Sequence, residues 1–179
     1  MYKLLKQIVR TGIVTEAPPE PDAALRAVSQ RLKAHMLATL GRALTIRHVD
    51  AGSCNGCELE IHALNNPYYN LEALGIKFVA SPRHADLLLV TGPVSRHMET
   101  ALVRTYDATP GPKLVVAVGD CGCTGGIFGE SYASAGRVSN VIPVDVEVPG
   151  CPPTPTALMQ GILTALSVGA KATSARRPR

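Results

Sequence analysis

The chain has 179 residues, enough for one domain with flanking segments, and is 46% apolar, 18% charged and 4% aromatic with no Trp. That balance predicts an aliphatic core and a surface partly covered by other subunits. Eighteen basic residues oppose fourteen acidic ones, and four of the basic ones (Lys171, Arg176, Arg177 and Arg179) fall in the last nine positions, so the remaining body is neutral and does not fit a nucleic-acid binder.

The opening MYKLLKQIVRTGIVTE scatters its charges and has no apolar stretch ending in a small-residue cleavage site, so no signal peptide is expected. No run of ~18 apolar residues follows, so no membrane span is predicted either. Residues 1–15 read as a short amphipathic piece, and Glu16–Asp22 (EAPPEPD) as a Pro-broken linker. Asp22 then caps a predicted helix reaching about Gly41, with Leu25, Val28, Leu32, Met36 and Leu40 at helical spacing. Residues 1–43 are therefore predicted to form an arm, a linker and a helix that lie along partner subunits, outside the compact domain.

From Leu44 the pattern changes. Strands are predicted at Leu44–Asp50, Ile76–Ala80, Ala85–Gly92, Lys113–Asp120 and Pro143–Gly150. Helices are predicted after Cys57, from His97 to Asp107, and from Pro155 to about Ala170. ADLLLVTG and KLVVAVGD are apolar runs of the kind found in strands covered on both faces. The alternation predicts an α/β domain over residues 44–170: a flavodoxin-like open, mostly parallel sheet with helices on both faces. Residues 171–179 read as a disordered basic tail.

Five cysteines in a chain without a predicted export signal read as ligands or redox groups rather than disulfides. Cys54 and Cys57 follow the first strand in GSCNGCELE, Cys121 and Cys123 lie in GDCGCTGG, and Cys151 lies in PGCPPTP. In a parallel sheet all carboxyl strand ends point the same way, so three distant segments deliver thiols to one sheet edge. Four thiolates suit a 4Fe–4S cube, one per iron. The glycines beside them let backbone approach sulfur and aim N–H groups at it. A zinc-stabilised scaffold and a thioredoxin-like redox pair remain the alternatives at this point.

GSCNGCELEI, SPRHADLLLVTGPV, GDCGCTGG and IPVDVEVPGCPPTP together resemble one superfamily over about residues 44–168. It comprises small subunits of membrane-bound, energy-converting nickel–iron hydrogenases (group 4, formate hydrogenlyase-like) and the homologous 20 kDa-type cluster-bearing subunit of complex I. The resemblance implies an oxidoreductase subunit in which Cys54, Cys57, Cys121 and Cys151 ligate one 4Fe–4S cluster. Cys123 is read as a spare buried thiol, with ligand exchange as its alternative. The implied partners are a catalytic large subunit, a ferredoxin-like iron–sulfur subunit and integral membrane subunits, with the chain peripheral on the cytoplasmic side. The C-x-x-C spacing followed by Glu58 favours the hydrogenase branch, because complex I subunits carry adjacent cysteines there. Glu58 is read as an interface or proton-relay group or an ordinary first-turn Glu, and Arg83 and His84 as cluster-tuning groups or a solvated pair. His48 and His62 show no ligand-like company.

Overall fold

The computed structural model describes residues 2–12 and 22–175, with the side chains of 35–40 and 170–175 left undescribed. Most of the linker expected at 16–22 and the last four residues of the expected tail lie outside the described residues.

Five strands form one sheet: β1 (Leu44–Asp50), β2 (Ile76–Phe78), β3 (Leu87–Thr91), β4 (Leu114–Val118) and β5 (Val146–Val148). Their order is β2-β1-β3-β4-β5 and every pairing is parallel. This is the flavodoxin-like order, in which the chain's winding reverses between β1 and β3. Both predictions, an open parallel sheet and helices on both faces, hold.

The core follows from the two-residue strand period. Leu87 and Leu89 of β3 face one way and pack with Leu44, Ile46, Val116 and Val148 in one apolar cluster. Leu88 and Val90 face the other way and pack with Val49, Val115 and Ala117 in a second. The first cluster is covered by α2 (Ala23–Leu40), α3 (Gly56–Ala63) and α6 (Pro155–Ala175), and the second by α4 (Arg96–Ala108) through Leu102. At the opposite edge from the cysteines, the Asp86 carboxylate accepts from the Thr45 N–H at 3.1 Å and from Arg42 at 3.0 Å, pinning the start of β1 to β3.

Three expectations change. Helix α2 belongs to the compact body: Leu25 and Leu32 are buried, Val28 packs beside them, and α2 lies against α6. The reason is that α6 is apolar on more than its sheet-facing side, and α2 supplies the complementary stripe. By contrast α1 (Tyr2–Thr11) buries none of its residues. The expected stretch from Lys113 to Asp120 ends as strand at Val118, and Gly119–Thr124 turns into a short helix, α5. Helix α6 also runs through Ala175, five residues past its expected end, since no Pro or Gly interrupts KATSA.

Docking of α2 has a measurable weight. Leu32→Ala is expected to cost about 2–4 kcal/mol in urea unfolding of the chain, as for a fully buried leucine, whereas Ile8→Ala in α1 is expected to stay within about 0.5 kcal/mol. Equal effects at the two positions would contradict the packing of α2.

Candidate metal centre

The cysteines stand at the carboxyl ends of β1, β4 and β5. After β1, the Asp50 carboxylate accepts from the N–H groups of Gly52 and Ser53, both at 2.8 Å, and folds the chain sharply towards α3. Asn55 takes a left-handed conformation at φ 72° just before the helix begins. Cys54 is left exposed on this turn, and Cys57 is buried in the first turn of α3.

Helix α5 carries Cys121 and Cys123. It ends at Gly125, whose left-handed conformation terminates the helix. Its first residues are tied to the loop after β5: the Asp120 N–H donates to the Gly150 carbonyl at 2.9 Å, and the Gly150 N–H donates to Asp120 Oδ1 at 2.7 Å. Cys151 is held next to this double bond, exposed on the same edge.

Two glycines show how close the segments come. A Cβ on Gly119, at φ 79°, would lie 2.7 Å from Cys57 Sγ and 3.4 Å from the Gly150 carbonyl oxygen. A Cβ on Gly126, at φ 55°, would lie 2.7 Å from Cys121 Sγ. Real Cβ atoms do not approach sulfur so closely, so bare backbone lines both thiols. On the other side, the space beside Gly56 is bounded by Cys54 Sγ and Pro152 together, joining the first cysteine loop to the last.

Electrostatics reports the same convergence. Burial pushes the Cys57 thiol up to about 12, helped by the negative charge of Glu58 and then of Cys54, Cys121 and Cys151. Cys121 is raised by burial and then by Cys151, Cys54 and Asp120. The charges of Cys54, Cys121 and Cys151 thus bear on Cys57, and those of Cys54 and Cys151 on Cys121. Cys123 stands apart. It is buried in the second apolar cluster, its Sγ donates to the Ala117 carbonyl at 3.7 Å, and burial raises it to about 11. Among the described residues no three His, Cys, Asp or Glu side chains form a site for a single metal ion.

A pairing that sequence reading passed over lies beneath α3. His48 Nε2 is 3.6 Å from Glu58 Oε1 and 3.0 Å from Thr91 Oγ1. Burial lowers the histidine's affinity for a proton, partly offset by the Glu58 charge. Glu58 is itself buried, and neither carboxylate oxygen has a hydrogen-bond partner among the described residues. The one sequence signal was the period of β1, which puts His48 on the same face as buried Ile46. Arg83 and His84 are exposed in a turn at Pro82–His84, and the Thr45 hydroxyl donates to the His84 carbonyl at the far edge of the sheet. That distance removes them as groups tuning the cysteine site.

The family profile described as NADH ubiquinone oxidoreductase, 20 Kd subunit, matches residues 54–165, from the first cysteine of the site to beyond the last. The chain belongs to this family. Formate hydrogenlyase subunit 7 of Escherichia coli is 44% identical over 147 residues, which are 82% of this chain but 58% of that relative's length. A probable membrane-bound hydrogenase subunit, mbhJ, of Pyrococcus furiosus is 46% identical over 138 residues, covering 77% of this chain and 83% of that one. Among solved structures, a chain of the membrane-bound sulfane sulfur reductase, an archaeal respiratory membrane complex, superposes with a TM-score of 0.65 and 33% identity, covering 80% of this chain and 78% of the other. Relatives of the chain are thus named as subunits of formate hydrogenlyase, of a membrane-bound hydrogenase and of NADH-quinone oxidoreductase.

The thiols would suit the iron–sulfur cluster that the sequence resemblance implies: they come from three strand ends, and backbone without side chains lines Cys57 and Cys121. Gly119→Ala would force a methyl group against Cys57 and strain a left-handed backbone position. It is expected to lower the iron bound per purified chain severalfold while circular dichroism stays native. Full iron content in this variant would show that the close approach of Gly119 is not needed.

Proposed function

We propose that Cys54, Cys57, Cys121 and Cys151 hold one 4Fe–4S cluster, and that the chain is the electron-transfer subunit of a membrane-bound, hydrogenase-like complex. The observation that carries this reading is the close approach of three strand ends: a Cβ on Gly119 would meet Cys57 Sγ at 2.7 Å and the Gly150 carbonyl oxygen at 3.4 Å, and one on Gly56 would meet both Cys54 Sγ and Pro152. When bound, the cluster supplies a one-electron store whose potential is set by charge, hydrogen bonds and exposure.

The chain's own residues do the rest. Burial and neighbouring negative charge raise Cys57 and Cys121 above the ordinary thiol range, which adds to the cost of forming their thiolates. Ligation needs thiolates, so cluster binding releases protons and tightens as pH rises. Placement of Cys57 in the first turn of α3 favours its thiolate form through the helix's positive end, opposing part of the burial effect. The Asp120–Gly150 bond pair, one bond through backbone and one through the Asp120 carboxylate, keeps the Cys121 and Cys151 segments in register.

Large exposed apolar residues follow two of the cysteine segments closely in sequence. Leu59 follows Cys57 by two residues and is 62% exposed, while Ile127 and Phe128 adjoin Gly126 and are 94% and 57% exposed. Such residues suit burial under a partner. In this reading a catalytic large subunit covers them, a ferredoxin-like subunit delivers electrons, and integral membrane subunits anchor the assembly at the cytoplasmic face. The C-x-x-C spacing and Glu58 support the hydrogenase branch over the quinone-reducing one. Nickel-binding cysteines in the large subunit would settle the acceptor.

Serine substitutions test the ligand set. Each of Cys54→Ser, Cys57→Ser, Cys121→Ser and Cys151→Ser is expected to remove most of the electron paramagnetic resonance signal of the reduced complex and its turnover. Cys123→Ser is expected to keep both. A Cys151→Ser complex with unchanged signal and turnover, or a Cys123→Ser complex without them, would refute the assignment.

A further inference from the structure

Helix α1 has the opposite character to α2. Its sequence, YKLLKQIVRT, contains Lys3, Lys6 and Arg10 and no acidic residue. At about 100° per residue, Leu4, Ile8, Leu5, Val9 and Tyr2 occupy one continuous arc of roughly 160°. Lys6, Arg10, Lys3, Gln7 and Thr11 fill the remainder, and the three cations adjoin the Tyr2 and Val9 edge of the apolar arc. None of these residues is buried, and the five apolar ones are 59–84% exposed.

A helix of 10 residues is marginal in water on its own, so this one needs an apolar surface to lie on. The folded body does not provide it. Full segregation of apolar and basic residues, with Lys and Arg flanking an aliphatic face, matches an in-plane helix at the headgroup boundary of a lipid leaflet. Three cations without an acid complement anionic headgroups. No described helix is long and apolar enough to cross a membrane, so attachment through α1 would be peripheral.

We infer that α1 lies in the interface of an anionic lipid leaflet, with Leu4, Leu5, Ile8 and Val9 directed into the acyl boundary and its cations among the headgroups. This deepens the membrane placement proposed above, but its test needs no cluster and no partner, so the two readings fail separately.

The full chain should co-sediment with vesicles of roughly one-third phosphatidylglycerol in phosphatidylcholine at least about tenfold better than with phosphatidylcholine alone. Leu5→Glu with Val9→Glu should abolish that binding, Leu5→Ile with Val9→Leu should keep it, and both variants should melt like the parent because α1 buries nothing. Arg176→Gln, Arg177→Gln and Arg179→Gln together should leave binding in place. Absence of binding by the parent chain would overturn the inference, as would binding that survives the two glutamates or disappears with the C-terminal arginines. Loss of complex assembly in the double-glutamate variant with vesicle binding unchanged would assign α1 to a protein groove instead, and would equally overturn it.

Discussion

Four sulfurs placed within electrostatic reach of one another repel as thiolates, and burial adds to the cost. In this chain both effects act on Cys57, whose pKa reaches about 12. Both effects favour neutral thiols there, and positive charge placed among the sulfurs would offset them. Much else in the domain serves to hold the sulfurs there. Turns after β1 and β5, the short helix after β4 and the glycines between them are features of one edge of the sheet.

Rigidity comes from the body behind that edge. β3 is buried along its whole length between two apolar layers, and it separates β1 from β4 by a fixed spacing. Cys57 belongs to one layer and Cys123 to the other. The two layers thus give two nearby cysteines different fates: Cys57 turns to the thiol group and Cys123 stays sealed against the β4 backbone. A fold that moved β4 relative to β1 would carry Cys121 away from Cys57. Half-buried His48 on β1 meets buried Glu58 on α3, so the charge nearest Cys57 in sequence is itself turned into the core.

The fold was legible because strand signals are local. LLLVT and LVVAV are aliphatic but for the final Thr91, and each is followed by glycine, as suits a strand between two helical layers. Parallel strands each followed by a cysteine segment put those segments at one edge of the sheet, and that much is written in the sequence. Helix α5 was not legible, since Gly119, Gly122 and Gly125 read as loop, and the helix is fixed by contacts with the segment after β5 rather than by propensity. Docking of α2 was equally hidden: a stripe of Leu25, Val28 and Leu32 announces an apolar face but not what it meets. The approach of His48 to Glu58 depends on how α3 crosses β1, which no spacing records.

The chain thus combines a compact domain, exposed apolar residues near its cysteine segments and an amphipathic helix outside its core. In the proposed function the domain is matched to a cluster, the apolar residues to a protein and the helix to lipid. The central claim concerns the first of these. Anaerobic purification of the parent chain or its complex, followed by iron, acid-labile sulfide and zinc analysis, addresses it most directly. About four irons and four sulfides bound by this chain, with broad absorption in the visible range, is the predicted result. Stoichiometric zinc without iron, or a metal-free chain fully active in its complex, would contradict it.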